Sequence, residues 1–325
     1  MRVLLTGASG MLGGATARAL AARGDEVTVL QRRPSGLDLP EVLGDVADPH
    51  TVSRAAAGKD AIVHLAAKVG VVGRELEFVR ANVDGTANVL AAAEAHHVGR
   101  VVHVSSPSVA HAGEPLVAAP AGPADPDRAF GHYARTKARA EQLALEAAAD
   151  LPVVAVRPHL VWGPGDQQLI GRIVARAHAG RLALVDAGTA LIDTTYLDNA
   201  VDALVAALDR VEDPAVRGRA FVVTNGQPRT VAELLTRICA AAGLPAPRRR
   251  VPLPVAYAGG ALVERLWARL GRTDDPPMTS FLAEQLATAH WFDQRETRTA
   301  LAWTPRVSLA EGFDRLADWF ADGSG

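Results

Sequence analysis

A tyrosine and a lysine stand four residues apart, at Tyr133 and Lys137, in the stretch "FGHYARTKARAEQLALEAAA". The stretch has a strongly helical composition, so this spacing places both side chains on one face of a helix. A free phenol has a pKa of about 10 and transfers protons poorly at neutral pH. A nearby ammonium stabilises the phenolate and brings that pKa toward the working range. The pair indicates acid–base chemistry, although a tyrosine and a lysine at this spacing also occur by chance.

Two serines, Ser105 and Ser106, follow the apolar run "VVHV" upstream of this helix. Ligands of parallel α/β folds bind at the carboxyl ends of strands. Either serine can therefore reach the same cleft and donate a hydrogen bond to a substrate carbonyl oxygen. The segment 107–131 between serine and tyrosine is rich in Pro, Ala and Gly, and it has no clear period. Because long ordered loops are often functional, we favour an active-site loop over a disordered insertion.

The elements that must position these residues are short apolar runs that alternate with helical stretches. The predicted strands are "RVLLT", "EVTVL", "EVLG", "AIVHLA", "RVVHVS" and "PVVAVR"; the helices between them include "MLGGATARALAARG" and "NVDGTANVLAAAEAHH". Asp48 with Pro49 has the pattern of an N-cap followed by the first helical residue. Continuously apolar strands suit a parallel sheet that is covered on both faces. The sequence predicts an α/β, doubly wound parallel sheet, the Rossmann fold.

The pattern changes after about residue 165, where the chain becomes mainly helical. We predict a dinucleotide-binding domain over 1–165, with returning segments near 191–225. A smaller C-terminal substrate lobe is predicted over 166–190 and 226–325. Thr230 precedes "VAELLTRICAAAG" with Glu233 three residues on, which is the pattern of a capping box.

Three glycines, Gly7, Gly10 and Gly13, follow the first predicted strand and open the first helix. Glycines let the backbone turn tightly and approach a pyrophosphate, while the helix N-terminus supplies free N–H groups. In the first strand–turn–helix unit of a doubly wound fold, this spacing predicts a dinucleotide site.

The residues after the second strand indicate which dinucleotide is bound. A ribose-reading acid is expected about 20 residues after the glycine loop, but the chain has Gln31, Arg32 and Arg33 there. A guanidinium holds a 2′-phosphate bidentately, so we favour NADP over NAD, with Arg32 the preferred contact; the alternative is a solvated surface. Asp45, after the third strand, either accepts a hydrogen bond from the adenine amino group or is a turn residue.

Composition narrows the function further. The formal net charge is −2, which gives no general attraction to nucleic acid or to acidic membrane surfaces. The single cysteine, Cys239, excludes an intrachain disulfide and fits a reducing compartment. We predict a cytoplasmic protein without a transmembrane span. The ten histidines do not suggest a metal site; His132 and His159 are expected to border the cleft.

The whole set of motifs resembles the extended short-chain dehydrogenase/reductases. The matching segments are "TGASGMLGG", "GDVAD", "VHLAA", "NVDGTANVL", "VSSPSV", "YARTK", "RPHLVWGPGD", "TYLDNAVDAL" and "LAWTPRVSLAEG". The "WGPGD" and "TYLDNA" segments are similar to the 3β-hydroxysteroid dehydrogenase branch. "SPSVAHAG" and "LVWGPGDQQ" are similar to the bacterial 2-alkyl-3-oxoalkanoate reductases of long-chain olefin synthesis, with a serine where that group often has threonine.

The resemblance implies a function and assigns residues to it. It selects Ser106 over Ser105 as the catalytic serine and matches Asn82 to a family asparagine. The implied catalytic set is Ser106, Tyr133, Lys137 and Asn82. The predicted cofactor contacts are Gly7, Ser9, Gly10, Met11, Gly13, Arg32, Arg33, Asp45, Val46, Ala66, Ala67, Lys68, Tyr133, Lys137, Pro158 and Leu160.

The implied reaction is the NADPH-dependent reduction of a lipophilic ketone, with a 2-alkyl-3-oxoalkanoic acid preferred. The apolar helical region 251–271 would border the substrate pocket, although an ordinary packing helix fits its pattern equally well. Alternatives are a 3β-hydroxysteroid dehydrogenase, a nucleotide-sugar epimerase or dehydratase, and a cofactor sensor without turnover. The resemblance also implies a homodimer and a complex with other enzymes of olefin synthesis.

Overall fold

The computed structural model describes residues 1–70, 72–111, 113–270, 272 and 276–323. The strands in this part of the chain are β1 (Arg2–Thr6), β2 (Glu26–Gln31), β3 (Glu41–Leu43), β4 (Ala61–His64), β5 (Arg100–Val104), β6 (Leu116–Ala119), β7 (Val153–Pro158), β8 (Val161–Trp162), β9 (Ala183–Val185), β10 (Leu191–Ile192), β11 (Thr195–Tyr196), β12 (Ala220–Val223), β13 (Arg229–Thr230), β14 (Arg249–Val251) and β15 (His290–Phe292). The α-helices are α1 (Met11–Ala22), α2 (Pro49–Ala56), α3 (Glu75–Phe78), α4 (Gly85–Ala95), α5 (Gly131–Glu146), α6 (Ile170–His178), α7 (Leu197–Arg210), α8 (Val231–Ala241), α9 (Leu253–Arg269), α10 (Ser280–Ala287), α11 (Arg295–Leu301) and α12 (Leu309–Ala321).

A parallel sheet forms the centre of the molecule, in the order β12-β7-β5-β4-β1-β2-β3 among the described strands. The strand order reverses between β1 and β4, and the carboxyl ends at such a switch point form the ligand crevice of doubly wound folds. One apolar cluster fills each face of the sheet, with Leu5 and Val63 in one and Leu4 and Ile62 in the other. The predicted doubly wound α/β fold is confirmed.

Helix starts follow the capping patterns read from the sequence. Asp48 caps α2 by accepting from the backbone N–H of His50, with Pro49 as the first helical residue. Thr230 caps α8 by accepting from the backbone N–H of Glu233 at 3.2 Å. The Glu233 carboxylate pairs with arginines of neighbouring turns, so the cap itself is confirmed while the carboxylate serves surface ion pairs.

A second sheet connects the segment 107–131 to the C-terminal part of the chain. It has the order β13-β10-β15-β6, and β6 comes from within that segment. A 3₁₀ turn, Pro107–Ala110, precedes β6 and begins directly after Ser106. The described part of the segment is thus tied into the C-terminal region rather than projecting as a free loop.

Candidate active site

The glycine loop between β1 and α1 fits a dinucleotide pyrophosphate. Gly7 has a φ of +83°, and a Cβ on it would lie 2.8 Å from the backbone nitrogen of Ala66. A Cβ on Gly13 would collide with the carbonyl oxygen of Gly7. A Cβ on Gly10 would meet only that carbonyl, at 3.6 Å, so packing within the protein does not require a glycine there. Gly10 is the N-cap of α1 and has no capping side chain, which leaves open space beside unpaired N–H groups for an anion. Ser9 and Met11 flank it.

The end of β2 presents two arginines to solvent. Gln31 is buried, and its amide nitrogen donates to Oε1 of Glu41 at 3.1 Å. Arg32 and Arg33 are exposed and make no ion pair with the described residues. Gln31 therefore connects the end of β2 to β3 through Glu41. The guanidinium groups of Arg32 and Arg33 remain available to bind an anion.

Asp45 makes the contact expected of a turn residue, and its contact with the adenine amino group stays a prediction. Its Oδ1 accepts from the backbone N–H of Ala47 at 3.0 Å, directly after β3. The next residue, Val46, is buried, and a Cβ on Gly85 would lie 2.8 Å from its Cγ2. The turn thus packs closely on the start of α4.

A buried polar chain fixes the end of β4. The hydroxyl of Thr6 hydrogen-bonds Nδ1 of His64 at 2.8 Å and accepts from the backbone N–H of Ala66 at 3.0 Å. Nε2 of His64 hydrogen-bonds the Thr86 hydroxyl at 3.1 Å. Burial lowers the pKa of His64 to about 3, so this imidazole is neutral. These hydrogen bonds hold Ala66 beside the glycine loop, and Ala67 follows it directly. Cofactor contacts were predicted at both residues.

Asn82 joins the segment after β4 to the helix that carries Tyr133. It lies in a π-helical turn, Val79–Asp84, and is almost fully buried. Its Oδ1 accepts from the backbone N–H of Lys68 at 2.7 Å, and its Nδ2 donates to the Thr136 hydroxyl at 3.0 Å. Both the oxygen and the nitrogen of the Asn82 side-chain amide bind other groups of the protein. Its contacts are therefore those of a positioning residue.

Ser106 and Tyr133 are a pair of hydroxyl-bearing residues that line the same cavity. Ser106 follows β5, and its Oγ receives a hydrogen bond from the Ser108 hydroxyl at 3.0 Å. Burial raises the pKa of Tyr133, and the Ser106 hydroxyl opposes that rise. Tyr133 is thus held as a neutral phenol with a proton to give.

Lys137 lies behind this pair. Its Nζ donates to the carbonyl oxygen of Val104 at 2.7 Å and lies 3.4 Å from Nε2 of His103. Burial lowers the pKa of Lys137 to about 8. We expected its ammonium to lower the pKa of Tyr133. Here burial of the phenol dominates and Ser106 provides the opposing effect, because the Lys137 ammonium is bound to the end of β5.

The pair opens into a cavity of about 1000 Å³. Its larger apolar lining residues include Val72, Leu116, Phe130, Leu160, Trp267, Phe281 and Phe292. Lys68, Ser106, Tyr133 and Leu160 are the predicted site residues in the wall, while Asn82 and Lys137 are buried behind it. Pro158, at the end of β7, is paired with Val223 of β12. The remaining cofactor candidates, apart from the buried Val46, follow β1 to β4, with Met11 and Gly13 in the first turn of α1.

Several lining residues were missed from the sequence. His132 and His159 border the cavity as predicted, and His111, Gln285 and His290 join them. The last two come from α10 and β15 in the C-terminal part of the chain. The apolar region 251–271 contributes Glu264 and Trp267 of α9 to the wall; residue 271 lies outside the described residues.

These features define a dinucleotide-dependent enzyme of the doubly wound α/β class. Residues 3–223 match the family model described as the NAD dependent epimerase/dehydratase family, and the chain belongs to that family.

Named relatives agree with this. A 2-alkyl-3-oxoalkanoate reductase of Stenotrophomonas maltophilia (strain K279a) is 42% identical, over 97% of this chain and 98% of the relative. One of Shewanella oneidensis is 38% identical, over 96% and 84%. The solved structure of MoeE5 in complex with UDP-glucose and NAD has a TM-score of 0.77 at 25% identity and covers both chains fully. The chain is an NAD(P)-dependent oxidoreductase that acts on CH–OH groups.

Proposed function

We propose that the protein reduces the ketone of a 2-alkyl-3-oxoalkanoic acid to the 3-hydroxy acid, with NADPH as the reductant. The observation that carries the proposal is the Ser106–Tyr133 pair in the wall of a large, mainly apolar cavity. A wall of aromatic and aliphatic side chains suits a substrate with long alkyl groups. Two relatives that match almost the whole chain are named for this activity.

The residues of the chain have separate roles in this reaction. The dinucleotide, when bound, supplies the hydride. Ser106 donates a hydrogen bond to the ketone oxygen and orients it. Tyr133 gives its proton to the same oxygen, a step for which general acid catalysis contributes roughly 100–10,000-fold. Lys137 holds the end of β5 and, with Asn82 behind α5, fixes the position of the phenol.

A turnover screen tests the proposal. NADPH and NADH are each offered with 2-alkyl-3-oxo acids and 3-oxosteroids, NADP⁺ and NAD⁺ are each offered with sterols, and absorbance follows the dinucleotide. Nucleotide sugars are incubated with NAD⁺ and their products are separated by chromatography, because epimerisation and dehydration leave the dinucleotide unchanged overall. Because 3-oxo acids lose carbon dioxide readily, the reverse reaction of the stable 3-hydroxy acid with NADP⁺ is run beside it. Turnover of the acids supports the proposal. Turnover of only sterols or nucleotide sugars would identify one of the alternatives instead.

The preference for NADPH is proposed to depend on Arg32. Replacing Arg32 by Asp puts a negative charge where the 2′-phosphate would lie, and a hydrogen bond to a charged group contributes about 1.5–3 kcal/mol. The ratio of kcat/KM for NADPH over NADH should therefore fall at least about tenfold. Arg33→Asp tests the neighbouring residue, and Arg248→Asp, on the exposed surface of the C-terminal part, controls for the change in net charge. An unchanged ratio in Arg32→Asp would assign this stretch to solvated surface.

A homodimer, a cytoplasmic location and association with other enzymes of olefin synthesis complete the proposal. None of the helices in the described part of the chain is long and apolar enough to cross a membrane.

A further inference from the structure

Two histidines from distant parts of the chain and one backbone carbonyl form a hydrogen-bonded relay in the cavity wall. Nε2 of His290 lies 3.0 Å from the backbone carbonyl oxygen of Gln285, and Nδ1 of His290 lies 3.0 Å from Nε2 of His159. A carbonyl only accepts, so Nε2 of His290 carries the hydrogen. Nδ1 of a neutral His290 is then an acceptor, and Nε2 of His159 donates to it.

The relay determines whether Nδ1 of His159 is a hydrogen-bond donor or an acceptor. With its Nε2 bound to His290, a neutral His159 has a bare lone pair on Nδ1. His159 lines the cavity, and its Nδ1 has no hydrogen-bond partner among the described residues. The cavity therefore presents a hydrogen-bond acceptor at this point, and the relay stabilises the ring if Nδ1 takes up a proton.

The surroundings keep the relay neutral in the absence of a ligand. Burial lowers the pKa of His159 well below its usual value, and it lowers that of His290 to about 4. The titratable groups that face the relay are His111 after the 3₁₀ turn, with Glu284 of α10 beside it, Asp193 next to the His290 backbone, Tyr133 of α5 and Glu264 of α9. The Asp193 carboxyl is occupied by Thr224 and Gln227.

The lysine and arginine side chains of the wall are engaged elsewhere. Lys68 and Arg74 both pair with Glu77, at 3.1 and 3.2 Å. Arg135 lies 3.6 Å from Glu75. The side chain of Arg272 stacks on Trp267, with 4.7 Å to the ring centroid. An acidic group that entered the cavity would meet cations with existing partners there, and a basic nitrogen with a free lone pair at His159.

We propose that the His159–His290–Gln285 relay binds the carboxyl group of the substrate together with one proton. The inference rests on the proposed function, because it concerns the acidic group of that substrate. An acid and a neutral imidazole share one proton as a carboxylate–imidazolium pair, and the proton comes from the acid or from solvent. His159 is then a specificity-determining residue that distinguishes 3-oxo acids from neutral ketones and esters.

A dependence of binding on pH follows with a definite sign. Above the pKa of the acid, the free carboxylate and the free imidazole together lack the proton that the complex holds. The dissociation constant should therefore rise about tenfold for each pH unit until the bound pair itself loses the proton. A methyl ester of the same acid has no carboxyl proton, so its dissociation constant should not change with pH over this range.

Calorimetry of the protein saturated with NADPH tests this without turnover. The probes are a 2-alkyl-3-hydroxyalkanoic acid and its methyl ester, titrated between about pH 6 and 7.5, below the lowered pKa of Lys137. Each titration is run in two buffers with different enthalpies of ionisation. We expect uptake of about one proton with the acid and none with the ester, and a tenfold rise per pH unit for the acid alone.

Two variants locate the effect. His159→Asn keeps a polar group in the wall without a titratable proton, so the pH dependence and the proton uptake should both disappear, and the acid should bind at least tenfold more weakly near pH 6. His132→Asn, at a second cavity histidine that faces Glu75, should retain both. Retention of proton uptake in His159→Asn, or equal pH dependence of acid and ester in the wild type, would overturn the inference.

The same titrations separate this inference from the proposed function. If acid and ester both bind and the ketone is reduced, but no proton is taken up, only the relay assignment fails. If neither probe binds and no 3-oxo acid is reduced, the proposed function fails.

Discussion

Proton donation at the level of single residues depends on one phenol. Burial raises the pKa of Tyr133, and the smaller opposing effect of Ser106 does not cancel that rise, so the proton is present across the neutral range. Tyr133→Phe removes that proton and leaves the glycine loop untouched. Turnover should fall roughly 100–10,000-fold, while NADPH binding, followed by its fluorescence, stays within about twofold. Tyr257→Phe, at an exposed position of α9, is the control, and unchanged turnover in Tyr133→Phe would refute the assignment.

Lys137 gives a second prediction at this scale, on stability. Its pKa is about 8 in the folded protein, whereas the ordinary pKa of a lysine is 10.5. Between these values the unfolded chain binds more protons, so stability from this group rises with pH. The free energy of unfolding of wild type should rise relative to Lys137→Met by about 1–3 kcal/mol from pH 8 to pH 10. Urea titrations of both proteins without cofactor measure it, since other titrating groups cancel in the comparison. A constant difference would contradict the lowered pKa.

At the scale of elements, α5 is fastened to the sheet by a buried ion pair. Nε of Arg157 in β7 donates to Glu141 of α5 at 2.8 Å, and both side chains are 1% exposed or less. Nη1 of Arg157 also donates to the carbonyl oxygen of Gly122 at 2.7 Å. The pair thus aligns α5, which carries Tyr133, with the segment after Ser106.

Breaking one side of this pair should be costly, because the other charge stays buried. Glu141→Gln is expected to lower the free energy of unfolding by about 3–5 kcal/mol, and the Glu141→Gln/Arg157→Met double variant by clearly less than the two single changes together. Asp202→Asn, which breaks the exposed pair with Arg306, should cost at most about 1 kcal/mol. Urea unfolding measures Glu141→Gln, Arg157→Met, their double variant and Asp202→Asn. Additive losses would show that the two side chains act independently.

The elements differ in how far local sequence determines them. Strands β1 to β5 and β7 follow from short, continuous apolar runs, and the caps of α2 and α8 from Asp48 and Thr230. The π-helical turn around Asn82 was predicted as ordinary helix. Over so few residues, the spacing of apolar positions in a π-helix cannot be distinguished from that in an α-helix. The pairing of β6 with β15 joins segments far apart in the chain, and no local pattern records such a partner.

Residues of the candidate site also differ in how far the local sequence predicts them. The glycines, Ser106 and the Tyr133–Lys137 pair are recognisable because each has a local motif. The relay is not, because His159 and His290 meet only after β7 and β15 have folded into different sheets. The effect of burial on the Tyr133 and Lys137 pKa values was also missed, since it depends on packing around the helix.

At the scale of the whole molecule, the C-terminal part of the chain contributes residues to two separate apolar clusters. Trp162, Ile192 and Phe313 share one apolar cluster away from the central sheet. Leu301 and Trp303, by contrast, lie in the main core beside the central sheet. The predicted division into a dinucleotide-binding domain and a substrate lobe stays a prediction, and the chain returns to the central sheet both at β12 and around α11.

The last prediction concerns assembly, for which two exposed surfaces compete. The resemblance implies a dimer built from two helices per subunit, including α5, and we propose α4, which exposes Ala87 and Ala91, as the second helix. The rival surface is α9, where Leu262 is 67% exposed. The 34.0 kDa chain should elute as a dimer in light-scattering chromatography. Ala91→Glu places a charge in the α4/α5 interface and should yield monomer, since burying an unpaired charge costs several kcal/mol. Leu262→Glu should leave the dimer intact, and the reverse outcome would assign the interface to α9.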